Sequence, residues 1–283
     1  MIIGLTGQRG VLGGRIARNL ESHGHKVCTF VGDIRSWDDS LQWARGLDRI
    51  VHCAAVVPIV RVNSDPYGAA ETNVLGTLNL ARLTEFTKDR HLTYISTSHV
   101  YKECPRPLAE DYVLKPISLY GLSKLQGEQW VQALAPRYMI VRVFSFFAGN
   151  QNDCFLVPSL AKRIAAAKKQ APLELANANA VRDIASADWI AEMCSRLALM
   201  DKTGIVNCGT GQGYTVADIA RKLGKAMGRG DIRWRLLSTS PGHSRSQLVA
   251  DVSRLTKFLG QAPSFDLDAA LSRFAAERIT AEN

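Results

Sequence analysis

Two rhythms of apolar and polar positions alternate along the first half of the chain. Residues 1–5 form a short apolar run, and Leu12, Ile16 and Leu20 then recur at helical spacing, so a strand, a tight turn and an amphipathic helix are expected in that order. Gly24 is placed to end that helix as its C′ residue. A second strand is expected over 26–31, a turn at Asp33, a short helix near 41–44 and a buried strand over 49–55. Helical spacing returns over 69–87, followed by a strand over 92–96, a long helix over 120–134 and a strand over 139–144. Strands alternating with helices predict an α/β fold with a Rossmann-type doubly wound parallel sheet.

From about Ala148 the pattern loosens. Helices are expected around 156–168, 187–199 and 215–227, with short strands near 173–175 and 205–207. The expected division is a dinucleotide-binding domain with the catalytic residues over 1–147. Residues 148–283 form mainly a smaller α/β substrate-binding annex, some of whose segments return to the sheet. Such an annex covers the carboxyl ends of the strands, where open α/β sheets bind ligands.

Composition narrows the classes. A chain of 283 residues with 46% hydrophobic and 22% charged residues is expected to bury a core rather than stay disordered. No apolar run approaches the roughly 18 residues of a membrane span. The first ten residues enter a strand at once and do not resemble a signal peptide, so neither membrane nor export is expected. The six cysteines are scattered without a Cys-x-x-Cys pair, which speaks against a metal site or a disulfide framework and for the reducing cytoplasm. The formal net charge of +9 is spread over several expected helices, as at Lys162-Arg163 and Arg221-Lys222, without interleaved aromatics. A solvated basic surface that attracts polyanionic ligands is expected, not a nucleic-acid interface.

The first turn carries the first piece of chemistry. In Thr6-Gly7-Gln8-Arg9-Gly10-Val11-Leu12-Gly13, Gly7 permits a sharp turn, Gly10 lets backbone approach a pyrophosphate and Gly13 lets the helix pack closely on the strand. The N–H groups and dipole of the helix start then face the phosphates. Asp33, just after the second strand, is placed to bind a ribose hydroxyl of NAD, while Gly32-Asp33-Ile34 also suits a loop against adenine. Arg9 within the glycine loop suits a 2′-phosphate, so NADP is favoured and NAD stays open.

The second piece is Tyr120-Gly121-Leu122-Ser123-Lys124. Tyrosine and lysine four apart lie on one helix face, and a nearby ammonium with the positive nicotinamide ring of an oxidised cofactor is expected to lower a phenol whose ordinary pKa is about 10. Ser96-Thr97-Ser98 ends an apolar strand upstream, where a hydroxyl can bond the same carbonyl oxygen. Together these predict proton transfer by Tyr120, assisted by Lys124 and Thr97.

These motifs resemble the extended short-chain dehydrogenase/reductase family, also called the NAD-dependent epimerase/dehydratase family. The resemblance runs over essentially the whole chain: TGQRGVLG (6–13), GDI (32–34), HCAA (52–55), NVLGTLNL (73–80), STSHVY (96–101), YGLSK (120–124), VRVFSFF (141–147), VRDIASADWIA (181–191), VNCGTG (206–211) and ADVSRLTKFLG (250–260). It implies Thr97, Tyr120 and Lys124 as the catalytic trio, with Ala54, Ala55 and Val56 flanking the cofactor. It further implies that Ser98, His99, Ser145, Asn152, Phe155, Arg182 and Arg245 line a nucleotide-diphosphate-sugar site, the two arginines facing phosphate. A homodimer through the helix bearing Tyr120 is implied as well.

Departures from the family narrow the reaction. Sugar dehydratases carry an Asp-Glu pair directly after the catalytic threonine, where this chain has Ser98 and His99, which disfavours dehydration. Members that epimerise before reducing carry a cysteine near the position of His99 and a histidine at that of Phe155. His99 is either a substrate contact or proton donor, or a polar lining residue. Reduction of a nucleotide-linked 4-keto-6-deoxyhexose is the favoured expectation. A 4-epimerase that keeps NAD bound, a non-catalytic dinucleotide sensor and a reductase of a small carbonyl compound are the rivals. The intact Tyr120 and Lys124 speak against the sensor.

Overall fold

In the computed structural model, which describes residues 1–86, 89–168, 171–237, 246–261 and 264–282, the first apolar run is strand β1 (Ile2–Thr6), buried after its first residue. A strand buried on both faces needs a neighbour on each side and helices above and below. β2 (Lys26–Thr29) and β3 (Arg49–His52) pair with β1 in parallel on its two sides. β4 (His91–Thr97), β5 (Tyr138–Val143) and the strand Gly204–Cys208 continue from β3, all parallel. The six-stranded order is therefore Gly204–Cys208, β5, β4, β3, β1, β2. It reverses between β1 and β3, which opens a crevice beyond the carboxyl ends of those strands.

Among the described residues no strand pairs outside β2. The chain leaves β2 through Gly32-Asp33-Ile34, forms the helix Trp37–Trp43 and returns directly to β3. β2 also stops short of Val31. Phe30 turns inward, its ring edge-on to Trp43 at 5.1 Å, and its carbonyl accepts from the Gln8 side chain.

Helix α1 (Val11–Ser22) buries Leu12, Ile16 and Leu20, and Gly24 follows it with φ +78°. On the same face of the sheet lies the helix Ala187–Ala198, with Ile190, Cys194 and Leu197 in one core with Ile3, Leu5 and Val206. The helices Gly76–Glu85 and Leu119–Leu134 cover the other face, packing Leu80, Leu83 and Val131 on Ile50, Leu92, Tyr94 and Ile140.

The helical stretch expected over 69–87 is interrupted; Thr87 itself lies outside the described residues. Pro66–Ala70 and Gly76–Glu85 are α-helical, and Glu71–Leu75 between them is a π-helical turn. Such widened turns redirect a side chain and recur at functional sites. Here the carboxamide of Asn73 accepts from the Val56 N–H at 2.7 Å and donates to the Val56 carbonyl and the Ser123 hydroxyl, both at 3.1 Å.

In the second half, the helices Leu156–Ala165, Val216–Ala226 and Leu267–Glu282 share a separate core containing Phe147, Ile164, Leu223 and Leu271. Leu267–Glu282 and Ser253–Leu259 lie where the periodicity predicted no helix. No helix among the described residues is long and apolar enough to cross a membrane.

One buried polar contact ties the sheet to the helix above it. His52 is fully buried; its Nδ1 is 2.7 Å from the Thr6 hydroxyl and its Nε2 is 2.9 Å from the Thr77 hydroxyl. The Thr77 hydroxyl donates to the Asn73 carbonyl, so it accepts from His52 Nε2–H, and Thr6 donates to Nδ1. Burial first, and then the Lys124 charge, lower His52 from 6.5 to about 3. The unfolded chain therefore binds a proton that the native chain refuses between these values. Stability from this residue is complete above about pH 6.5 and falls as the pH drops towards 3, a loss on the order of 4 kcal/mol. Urea unfolding at pH 7 and pH 5 is expected to show the loss in the native chain and a flatter slope in His52→Gln. An equal slope in both would remove His52 from the account.

Candidate active site

The glycine loop joins β1 to α1 at the crevice. Gly7 has φ +78°, and a Cβ there would meet the Ala54 nitrogen at 2.6 Å. A Cβ on Gly13 would lie 2.1 Å from the Gly7 carbonyl oxygen, so the helix start and the turn are packed backbone to backbone. Gly10 caps α1 without a side-chain hydrogen bond, and the first turn carries no acidic residue. The N–H groups of Val11, Leu12 and Gly13 are thus left for an anion, with the positive end of the helix dipole behind them. Ala54 and Cys53 are held against this loop by N–H donation to the Thr6 hydroxyl at 3.1 and 3.2 Å. Glycines at the contact, a bare helix start and a switch-point crevice fit a dinucleotide pyrophosphate.

Charged residues gather at the exit of β2. The Asp33 carboxylate accepts from Arg35, with Nη2 at 2.7 Å and Nε at 2.9 Å, and these bonds hold it down to about 2. Arg35 also reaches Glu71 at 3.0 Å. Ile34 packs beneath, against Gly76. Arg9 is exposed and forms no ion pair among the described residues, whereas Asp33 is already engaged.

Thr97 ends β4 and Tyr120 begins the helix Leu119–Leu134, whose first turn is capped by Ser118 accepting from the Gly121 N–H at 3.1 Å. A Cβ on Gly121 would sit 2.4 Å from the His99 carbonyl oxygen, so this glycine lets the helix start approach the strand end. The Thr97 side chain acts on the Tyr120 hydroxyl and favours its ionised form. Lys124 lies one turn on, buried, with Nζ 4.0 Å from the centre of the Tyr94 ring. Burial pushes Tyr120 up to about 12, against the pull of Thr97, and lowers Lys124 to about 8. Desolvation of the charged form is the largest cause at both groups.

His99 is half-buried beside this pair, its ring centre 5.9 Å from that of Tyr120 and edge-on to it. Burial, and then the charge of Arg182, keep it below its ordinary value. Arg182, on the two-residue strand Val181–Arg182, donates to the Val181 and Ser246 carbonyls at 2.9 and 3.1 Å. Ser98 is buried in the short helical turn after β4, and Ser145 bonds the Asp183 carbonyl through its N–H. The described hydrogen bonds of Asn152 and Phe155 stay within the turn that opens Leu156–Ala165. Arg245 lies outside the described residues. Asn73 was missed among the site candidates. It stood in the quoted NVLGTLNL, but its inward turn depends on the π-helical geometry.

Residues 3–209 match the model of the NAD dependent epimerase/dehydratase family. The dTDP-4-dehydrorhamnose reductase of Mycolicibacterium smegmatis is 30% identical over 157 residues, covering 54% of this chain and 48% of that protein. The GDP-6-deoxy-D-mannose reductase of Pseudomonas aeruginosa is 28% identical over 193 residues, covering 64% of each. These matches thus span about half and just under two thirds of the two curated relatives. The solved UDP-glucose 4-epimerase of Thermotoga maritima with UDP-glucose superposes with a TM-score of 0.87 over 100% of both chains at 19% identity, a likeness of fold. With the family model covering most of the chain, the protein belongs to the NAD dependent epimerase/dehydratase family.

Proposed function

We propose that the protein uses NADPH to reduce the 4-keto group of a nucleotide-linked 4-keto-6-deoxyhexose. The observation that carries this reading is the buried Thr97–Tyr120 hydroxyl pair beside Lys124, at the mouth of a crevice whose helix start is bare. The glycine loop and Lys124 would hold the NADPH, whose chemistry when bound would be donation of a hydride to the carbonyl carbon. Tyr120 gives its proton to the carbonyl oxygen, Thr97 donates a hydrogen bond to the same oxygen, and the product is the alcohol. A phenol held near 12 stays loaded with its proton across the neutral range, which suits donation better than abstraction. The Lys124 ammonium stabilises the phenolate left behind until solvent returns a proton. Ser98 and His99, standing where an acidic pair serves dehydration, leave reduction as the simpler outcome. Arg182 faces the substrate phosphates, and His99 contacts the sugar. Two relatives bear the names dTDP-4-dehydrorhamnose reductase and GDP-6-deoxy-D-mannose reductase, which supports the substrate class.

The test is a panel of such sugars made in place by dehydratases and mixed with NADPH and then NADH. Stoichiometric loss of nicotinamide absorbance with one sugar is expected. No loss with any sugar, with NAD retained and sugars interconverted, would replace the reductase by a 4-epimerase.

Cofactor choice rests on Arg9, exposed and without an ion pair among the described residues, and on an Asp33 already bonded to Arg35. Arg9→Ala is expected to weaken NADPH binding roughly 10- to 100-fold, the worth of one charge-assisted phosphate contact, and to leave NADH nearly unchanged. Equal loss for both cofactors would place Arg9 away from the 2′-phosphate.

We also infer a homodimer through the Leu119–Leu134 helix. Leu119, Leu122 and Trp130 are exposed along one stripe of it, with exposed Val60 and Tyr67 on the preceding helices. Light scattering is expected to return twice the chain mass, and Leu122→Glu/Trp130→Glu the single mass. A monomeric native chain would contradict it.

A further inference from the structure

The buried charges around Lys124 include groups that the proton transfer does not use. Tyr94, on β4, is fully buried beneath the helix Leu119–Leu134 and turns its ring face to the Lys124 ammonium at 4.0 Å. Its hydroxyl lies under the helix backbone, 3.4 Å from the Lys124 carbonyl, and a Cβ on Gly127 would meet it at 2.2 Å. Gly127 therefore lets the helix settle on Tyr94, which sets the height of Lys124 over the ring. Tyr94 also meets the His52 ring, centres 5.5 Å apart.

One turn beyond Lys124 on the same helix is Glu128, fully buried and paired with the equally buried Arg142 of β5. Arg142 grips it with Nη2 at 2.7 Å and Nε at 3.0 and 3.1 Å. The remaining Arg142 donors go to the Tyr101 hydroxyl at 2.9 Å and the Glu110 carbonyl at 2.8 Å. Ser96, the residue before Thr97, donates to the same Glu128 carboxylate. The network thus locks the helix of Tyr120 and Lys124 onto the two strands beside it.

We propose that Tyr94 and the buried Glu128–Arg142 pair are positioning residues for Lys124, holding its ammonium in place and charged inside a desolvated site. The inference deepens the proposed reductase and rests on Lys124 acting there. The groups around Lys124 are His52 at the end of β3 and Cys53 just after it, Tyr94 on β4, and Tyr120 and Glu128 on its own helix, with Arg142 paired to Glu128. His52 is neutral over the working range, and Cys53, pushed up to about 12 by burial, is a thiol rather than an anion. That leaves the Glu128 carboxylate and the negative face of the Tyr94 ring as the groups that oppose the loss of the Lys124 charge. Of the ion pair, Glu128 stands one turn from Lys124 on the same helix and is the member whose charge acts on the ammonium.

The test does not depend on finding the substrate. In protein carrying ¹⁵N-labelled lysine, the Nζ signal of Lys124, identified by its absence in Lys124→Arg, is titrated by NMR. Tyr94→Leu and the charge-balanced pair Glu128→Gln/Arg142→Met are each expected to lower the midpoint by at least half a pH unit. Tyr94→Phe, which keeps the ring, is expected to stay near the native value. Circular dichroism and melting confirm that each variant is folded. If one of the two disruptive variants fails to fold, the other decides. A midpoint unchanged in a folded Tyr94→Leu or Glu128→Gln/Arg142→Met protein overturns the proposal. If the midpoints move as expected while no sugar consumes NADPH, the positioning stands and the reductase falls.

Discussion

Tyr120→Phe is expected to lower turnover by roughly 10²- to 10⁴-fold, the range contributed by a positioned general acid, and to change cofactor binding little. The substitution removes one oxygen from a buried helix start. Its hydroxyl partner, Thr97, still accepts from the His99 N–H at 3.2 Å, so the site keeps its shape. Steady-state rates with NADPH and the responsive sugar, beside fluorescence titration of NADPH, separate the two effects. A variant with native turnover would take the proton from another group, and His99, edge-on to the Tyr120 ring, would be the first to examine. A variant that loses cofactor binding and turnover together would make Tyr120 a binding residue instead.

The largest stability effect is expected at Glu128. Glu128→Gln alone strands the buried Arg142 guanidinium without its carboxylate, and breaking one half of a buried ion pair costs about 3–5 kcal/mol. For a chain of this size the melting temperature is expected to fall on the order of 10 °C. Removing both charges in Glu128→Gln/Arg142→Met is expected to recover part of that loss, because no unpaired charge remains. Differential scanning calorimetry of the two proteins is the measurement. A double variant no more stable than the single one would mean that the Arg142 bonds to Tyr101 and Glu110 matter more than its charge balance.

The two effects arise on one helix, and this shows why the sequence was legible in some places and not in others. Local signals carried the glycine loop, the Tyr120–Lys124 spacing and the alternation of strand and helix, because each is written within a turn or two of chain. Helices such as α1 and Val216–Ala226 appear close to where their apolar spacing put them. The burial that raises Tyr120 was not legible, since spacing shows the nearby lysine but not the depth at which the pair lies. The partners of Arg142 were not legible either. Glu128 is fourteen residues upstream in the sequence, and the contact exists only because the helix lies across β4 and β5.

Other gaps have the same origin. The π-helical turn at Glu71–Leu75 leaves the apolar period almost intact, so Asn73 looked like an ordinary helical residue. The helix Leu267–Glu282 buries small residues, Ala270 in the annex core and Ala275 further along the helix, and these weaken the contrast on which periodicity depends. The return of Gly204–Cys208 to the edge of the sheet beside β5 is a matter of topology, for which its five residues carry no local mark.

The central claim is transfer of a hydride from added NADPH to C4 of the sugar, and deuterium follows it most directly. NADPH deuterated at the transferring position of the nicotinamide would be turned over with the responsive 4-keto-6-deoxyhexose nucleotide, and the product examined by mass spectrometry and NMR. One deuterium on C4 of a newly formed alcohol is predicted, in step with cofactor consumed. An interconverted sugar without deuterium, formed while the added cofactor is untouched, would contradict the account and assign the chain to epimerisation with a retained cofactor.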